Sequence, residues 1–181
     1  VLGRRISTAS GTITFGASAA GTGNDNNRIE FNDIADASGG NSSVGVFSAG
    51  IAGRENDNIT ISNNNIYNFY NAIGNSFGIY VLSNSSTWTI SNNRIYQTTE
   101  RLYTSTCSQF GIYVNAGNGY TISNNTIGFA NASGTGTMTM IGNSVPLIGF
   151  PTAYSAIGTP VTIRFLGIGV AAAAGTATNV D

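Results

Sequence analysis

Apolar and polar residues alternate along this chain in short blocks, and the blocks recur. One block reads Ile59-Thr-Ile-Ser-Asn-Asn-Asn-Ile66, and near-identical copies begin at Trp88 and Tyr120. The apolar residues at the start of each copy occupy every second position, which is the period of a half-buried β-strand and not of a helix. Thr, Ile and Tyr also favour extended backbone. Each block therefore predicts a short strand.

A second block, of the form Gly-Ile-Tyr-Val, keeps step with the first. Its central residues Val46, Ile79 and Ile112 lie 33 residues apart, and Ile13 lies another 33 residues upstream. Two strand-like blocks that recur together indicate one supersecondary unit that is copied and stacked. A third strand opens after each asparagine run, so the repeat holds three short strands.

The asparagine runs predict turns between strands, because Asn tolerates the left-handed backbone region and bonds its own backbone. These runs cover residues 63–65, 92–93 and 124–125. Stacked copies would place equivalent amides above one another, as in other stacked strands. The sequence therefore predicts a structural amide ladder of Asn63, Asn92 and Asn124.

Strand alternation assigns residues to an inner and an outer face. The predicted inward columns are Phe31, Ile61, Ile90 and Ile122 in one strand, and Ile13, Val46, Ile79 and Ile112 in another. The predicted outward aromatic columns are Phe47, Tyr80 and Tyr113, and the shorter pair Tyr67 and Tyr96. Such rings could stabilise neighbouring strands by stacking, or offer a platform to sugar rings or another protein.

Three strands in a repeat of roughly 30 residues, with Asn corners, resemble the right-handed parallel β-helix family, the pectate-lyase-like superfamily. The Ile-Ser-Asn-Asn-x-Ile blocks are similar to repeats of large secreted bacterial surface proteins. The resemblance covers residues 12–127 well and 160–180 weakly. It implies an all-β, right-handed parallel solenoid of about five coils and an extracellular location at a bacterial cell surface.

We expect residues 1–181 to form a single solenoid segment. Its regular coils would span 12–127, an irregular coil with a longer loop 128–166, and the start of a further coil 167–181. Inside the irregular part, Met138 to Val145 has the spacing of the strand and turn block. No polar capping repeat is recognisable, so the segment resembles an uncapped excerpt of a longer solenoid, whose ends could also associate.

Composition narrows the choice of partners. Charged residues make up 8% of the chain, its seven cationic residues are all Arg, and the net charge is −1, so the basic surface of a nucleic-acid-binding protein is missing. No apolar stretch approaches the ~20 residues of a membrane-spanning helix. The single cysteine, Cys107, excludes an internal disulfide and is expected to be a small buried side chain.

Catalytic chemistry has few candidates. The resemblance implies that an enzyme of this superfamily would use clustered acids, with calcium and an Arg or Lys base in its lyases. Glu30 and Asp57, with Arg28 and Arg54 nearby, could form a carboxylate pair if they lay ~5–9.5 Å apart; a solvated rim of ion pairs is the simpler interpretation. A calcium site at Asp33 and Asp36 is weakly supported, since the spacing of calcium loops is absent.

Outward hydroxyl groups form two further columns that could order water or ice. The columns are Thr60, Thr89 and Thr121, with Glu30 expected above them, and Ser62, Ser91 and Ser123.

The sequence thus predicts a non-catalytic, extracellular structural or adhesive segment of a larger secreted surface protein, with no cofactor and no metal. Its expected partner is a glycan or a cell surface, without nucleic-acid binding or membrane insertion. A polysaccharide lyase or glycoside hydrolase is the first alternative, and a filament-forming subunit is the second.

Overall fold

The computed structural model describes residues 10–17, 19–35, 42–142, 161–171 and 178–180. Every regular element within these ranges is a β-strand, and the strands stack in parallel sheets as a solenoid of about three turns. The all-β parallel solenoid expected from the repeat is therefore confirmed. The number of turns is somewhat lower than the five coils predicted, because the outermost repeats add edge strands without completing described turns.

Three sheets make up the walls of the solenoid, and one repeat contributes a strand to each. Sheet 1 contains β1 (Ile13–Phe15), β4 (Val44–Ala49), β8 (Ser76–Ser83), β13 (Cys107–Val114) and β17 (Ile163–Val170) in that order. Sheet 2 contains β2 (Arg28–Glu30), β6 (Thr60–Ser62), β10 (Thr89–Ser91), β14 (Thr121–Ser123) and β18 (Asn179–Val180). Sheet 3 contains β3 (Asp33–Ile34), β7 (Asn65–Tyr67), β11 (Arg94–Tyr96) and β15 (Thr126–Phe129).

Two further short strand pairs form within the connections between the three sheets. They are β5 (Asn56–Asp57) with β9 (Ser85–Ser86), and β12 (Arg101–Tyr103) with β16 (Met140–Gly142).

The described part of the chain holds no helix long and apolar enough to cross a membrane.

The core consists of columns of equivalent residues from successive turns. Val46 pairs in register with Ile79, which pairs with Ile112, and the same column continues to Ile168. Burying one such side chain contributes roughly 1.5–3 kcal/mol before the entropy of ordering is subtracted. The other two columns are Ile29, Ile61, Ile90 and Ile122 in sheet 2, and Ile34, Ile66, Ile95 and Ile127 in sheet 3. Val180 continues the register of the sheet 2 column at the sheet edge, where its side chain is exposed.

The predicted inward position of Phe31 is wrong. Ile29 occupies the column instead, and Phe31 is 79% exposed with a φ of 58°. Residues 28–34, Arg-Ile-Glu-Phe-Asn-Asp-Ile, form a divergent fourth copy of the strand and turn block, in which Phe31 takes the corner position of Asn63. Alternation ends at that corner, so the side chain that follows the strand points away from the core.

The Met138 block shares the spacing of the repeat but does not join sheet 2. Met140–Gly142 pairs with Arg101–Tyr103 and not with sheet 2, while the Met138 sulfur is buried beside Gln109 Nε2 at 3.4 Å. The block has the spacing of the repeat but follows Ile127 too closely to reach the next turn of sheet 2. Val145, at the end of the block, lies outside the described residues.

Close packing between sheets explains why each copy of the Gly-Ile-Tyr-Val block keeps its glycine. A Cβ built on Gly78 would lie 2.5 Å from the Gly111 carbonyl oxygen and 2.8 Å from Ile95 Cγ2. Gly45 and Gly111 meet the equivalent atoms of their own neighbours at 2.6 Å. At these strand positions the Ile column of sheet 3 packs directly against the backbone of sheet 1. Only a residue without a side chain leaves room for that contact.

We expect Gly78→Ala to lower the free energy of unfolding by about 1–3 kcal/mol, because its methyl group must displace backbone and Ile95 in a close-packed interior. Gly167→Ala is the matched control, since it lies in the same column and meets nothing within 4 Å. Urea denaturation followed by circular dichroism measures both variants. Equal stabilities for the two variants would contradict the packing argument.

Candidate functional site

The predicted outward aromatic column of sheet 1 forms in register. Phe47 pairs with Tyr80 and Tyr80 with Tyr113. The Phe47 and Tyr80 ring centroids lie 5.7 Å apart in an edge-to-face contact, and those of Tyr80 and Tyr113 lie 5.6 Å apart in a stacked one. Contacts of this kind contribute about 0.5–1.5 kcal/mol per pair beyond area burial.

Two phenylalanines that the sequence analysis missed enlarge this column into an outer aromatic cluster. Phe77 stacks on Tyr80 at 4.2 Å and on Phe110 at 5.0 Å, and Phe110 contacts Tyr113 at 4.7 Å. Phe77 is two residues from the inward Ile79 yet lies on the outer face, because alternation breaks at Gly78. The apolar residue before each Gly of the second block was the available signal.

The cluster is largely closed to solvent. Phe47 is 3% and Phe77 4% exposed, whereas Tyr80, Phe110 and Tyr113 are partly exposed. Burial, and then the neighbouring Tyr113, raise the pKa of Tyr80. The ring faces are used within the cluster, so a ligand would meet mainly the edges of the tyrosines.

The second predicted column, Tyr67 and Tyr96, also forms. These rings stack with centroids 4.9 Å apart and planes within 7°. Phe129 extends the column beyond the prediction: it pairs with Tyr96 after a register shift, with Gly128 in between at a φ of 98°. Tyr96 is only 6% exposed, so this column too is mainly a stacking element.

The amide ladder exists, but it lies one residue later than predicted. Asn63, Asn92 and Asn124 have φ values of 57°, 56° and 55° and are exposed. The left-handed backbone turns their side chains outward, away from the stack. The amides that bond between turns belong to the following residues, Asn32, Asn64, Asn93 and Asn125.

The two central ladder asparagines, Asn64 and Asn93, each bond to both neighbouring turns. Asn93 Oδ1 accepts from the backbone N–H of Asn64 at 3.0 Å and from its Nδ2 at 3.1 Å. Asn93 Nδ2 donates to Ile61 O and to Asn125 Oδ1, both at 2.9 Å. The ladder thereby satisfies backbone groups that the corner removes from the sheets, and buried polar groups need such partners.

We expect Asn93→Ala to destabilise the protein by roughly 3 kcal/mol, because several buried donors and acceptors lose their partners at once. Asn92→Gly, at the exposed neighbouring corner, keeps the left-handed backbone and should cost less than about 1 kcal/mol. Thermal and urea denaturation of the two variants give the comparison. A larger loss for Asn92→Gly would place the stabilising amide where the sequence predicted it.

The candidate catalytic carboxylates are each engaged in local hydrogen bonds. Glu30 forms an ion pair with Arg28 at 2.8 Å and accepts from Ser62 Oγ at 2.6 Å. The hydrogen bonds from Arg28 and then Ser62 lower the pKa of Glu30, so it is a poor proton donor at neutral pH. Asp57 Oδ1 instead accepts from the N–H of Ser86 at 2.7 Å and from its Oγ at 2.9 Å.

The candidate calcium ligands are not brought together in the described part of the chain either. Asp33 Oδ1 accepts from Asn65 Nδ2 at 2.7 Å, and Asp36 lies outside the described residues. Among the residues described, no group of three or more acidic, Cys or His side chains is placed to hold a metal ion.

The hydroxyl columns of sheet 2 form in the predicted register. Thr60, Thr89 and Thr121 align, as do Ser62, Ser91 and Ser123. Glu30, however, pairs with Ser62, and Arg28 heads the Thr column. The expectation of Glu30 in the Thr column is wrong for the same reason as that of Phe31, since the first copy aligns two residues earlier.

A buried polar cluster beneath β12 was not anticipated. The guanidinium of Arg101 donates through Nε to Gln97 Oε1 at 2.7 Å and lies 5.2 Å from the centre of the Tyr70 ring. The Tyr103 hydroxyl donates to Gln109 Oε1. Gln97, Arg101 and Tyr103 lie between β11 and β13, where the repeat pattern offers no guidance.

Burial is the main cause of the raised pKa values of three titratable side chains in the interior. It raises the pKa of Cys107 to about 11 and the pKa of Tyr103 and Tyr120 well above the usual tyrosine range. Cys107 is a buried free thiol, as predicted. The Tyr120 hydroxyl lies 2.6 Å from Ser85 O and 2.8 Å from Ala116 O, and its single proton is shared between these two carbonyl acceptors.

These shifts predict a loss of stability at alkaline pH. The pKa values of these groups are higher in the folded protein than in the unfolded chain. Their contribution to the free energy of unfolding is therefore complete below about pH 8.5 for the thiol and below pH ~10 for the tyrosines. It falls as the pH rises above these values. We expect stability to be nearly constant from pH ~6 to 8.5 and to decline steeply above pH ~10. Urea midpoints at several pH values test this, with Cys107→Ala as the control for the thiol. A flat profile above pH ~10 would contradict it.

Comparisons of the chain with protein-family models, curated proteins and solved structures gave no match.

Proposed function

We propose that this chain is a non-catalytic, extracellular structural segment of a larger secreted surface protein. In this proposal the solenoid is right-handed, is related to the pectate-lyase-like superfamily, and comes from a bacterial surface protein. The observation that carries the proposal is the internal use of its repeated side chains: amides, rings and core residues all bond or pack against their own equivalents in the next turn.

A spacer or stalk needs continuous stiffness, and the ladders provide it. Backbone hydrogen bonds between turns, the buried amide ladder and two aromatic stacks all run along the solenoid axis. Bending or stretching the solenoid would have to break several of them together. Repeat proteins of this type transmit stability only between neighbouring units, so an even distribution of contacts suits a mechanical role.

An adhesive role is the second candidate, and the outer aromatic cluster favours it. Tyr80 and Tyr113 remain partly exposed, and the Tyr113 hydroxyl donates to the exposed Asn115 Oδ1 at 3.0 Å. An aromatic edge beside an amide suits a glycan or a cell-surface partner. The largely buried rings beneath it argue that stacking is the cluster's first role.

The remaining alternatives have less support. For a polysaccharide lyase or hydrolase, Glu30 would have to leave Arg28 and Ser62 before acting as an acid. For a filament-forming subunit, copies would have to join through the edge strands of the sheets, which offer backbone groups to a further parallel strand.

The double substitution Tyr80→Ala and Tyr113→Ala separates the structural role from the adhesive one. If the cluster is structural, the variant loses about 1–3 kcal/mol of stability through its lost ring contacts, and the unmodified protein binds no glycan. If it is adhesive, the unmodified protein binds and the variant does not. Tyr80→Phe with Tyr113→Phe is the matched control, because it keeps the rings and removes the hydroxyls.

A glycan array and urea denaturation provide these readouts, and an assay for new reducing ends runs beside them on the same polysaccharides. Glycan binding that the double alanine variant loses at unchanged stability would replace the structural proposal by the adhesive one. New reducing ends would overturn both, and would direct attention to Glu30 and Asp57.

A further inference from the structure

The loop that joins β13 to β14 contains an unusual pair, Asn118 and Gly119. Gly119 has a φ of 69° and lies at the corner before sheet 2. The equivalent corners of earlier turns are Asn26, Asn58 and Thr87, with φ values of 58°, 55° and 58°. The corner requires a left-handed residue, and this turn meets the requirement with glycine, which places a glycine directly after an asparagine.

Position 118 belongs to a column that caps the next turn. In earlier turns Asp25 Oδ1 accepts from the backbone N–H of Asp57 at 3.1 Å, and Asp57 Oδ1 accepts from that of Ser86 at 2.7 Å. Asn118 O accepts from the N–H of Thr87 at 2.9 Å. Among the described residues, neither the Asn118 side chain nor the Gly119 N–H makes a hydrogen bond.

We infer that Asn118 is a site of spontaneous deamidation. The Gly119 amide nitrogen loses its proton and attacks Asn118 Cγ, a new C–N bond forms, and ammonia leaves with the proton. Water then opens the resulting succinimide at either carbonyl, which yields aspartate or its β-linked isomer, isoaspartate. No oxidant or cofactor is needed. Glycine favours the step because it places no side chain beside the attacking nitrogen.

The fold distinguishes Asn118 from other asparagines that precede a small residue. Asn75 Oδ1 accepts from the Ser108 N–H at 2.8 Å, and Asn84 Nδ2 donates to Gly50 O at 3.1 Å. Each of these side chains must break a hydrogen bond before its carbonyl carbon can meet the next nitrogen. Asn118 is free of that restraint.

The two products have different consequences. Aspartate at 118 repeats the residue type of Asp25 and Asp57 in the same column, so the fold should accept it. Isoaspartate lengthens the backbone in a loop with no room: a Cβ on Gly117 would lie 1.8 Å from Ser85 O, and the Tyr120 hydroxyl is bonded to the same oxygen. The isomer should therefore push the loop away from the preceding turn.

The test follows the modification in the folded protein and, in parallel, in urea. Both samples are held at mildly alkaline pH, digested with chymotrypsin and analysed by mass spectrometry, and isoaspartate is quantified with an isoaspartyl methyltransferase. We expect Asn118 in the folded protein to convert roughly tenfold faster than Asn75 or Asn84, because each of those side chains must first break a hydrogen bond. We also expect this ratio to be larger in the folded protein than in urea.

Two variants complete the test. Asn118→Gln should abolish methyl acceptance in the loop, and Asn118→Asp should melt at the temperature of the fresh protein, while the aged isoaspartate fraction melts lower. A ratio that is smaller in the folded protein than in urea, or faster conversion at Asn75 or Asn84, would overturn the inference. A melting loss in Asn118→Asp equal to that of the aged sample would overturn the assignment of the damage to the isomer.

Discussion

Every residue in a stacked repeat faces its own equivalents one strand spacing away, about 4.8 Å above and below. A side chain is therefore acceptable only if it tolerates a near copy of itself in contact. Isoleucine meets this condition by packing, asparagine by donating to one neighbour and accepting from the other, and tyrosine by stacking. The remaining features of this solenoid depend on that constraint.

The same constraint explains the scarcity of charge. Like charges in one column would repel at close range, and directly opposed like charges destabilise a sheet. Charged side chains accordingly alternate with neutral ones, as where Asp33 is followed in its column by Asn65 and Glu30 by Ser62. Asp25 and Asp57 are an exception, since two carboxylates follow each other in one column. Each is held there because its Oδ1 accepts a hydrogen bond from a backbone N–H of the following turn.

The corners show where the constraint is relaxed. Phe31 takes a left-handed position that Asn holds in the other turns, and the Gly128 bulge shifts the register of Phe129. Strand β12, which pairs with β16, contributes Arg101 to a buried polar cluster that falls outside the repeat pattern. Phe31 and the β12–β16 pair lie outside the three repeated sheets, and Gly128 and Phe129 form the end of β15, so these local changes do not have to be copied in the next turn.

The sequence by itself determined the strands, their parallel stacking, the core columns at Ile61, Ile79 and Ile112 and the alignment of the outer aromatic residues, because a strict period forces equivalent residues into register. It could not decide which asparagine of each run forms the ladder, since both are polar and adjacent; the left-handed φ of Asn92 selects Asn93. It also could not bring Phe77 into the outer cluster, because that needs the break in alternation at Gly78, where two sheets meet. Periodicity specifies what stacks on what, whereas the direction of a side chain at a corner depends on backbone angles that only the packing of three sheets decides.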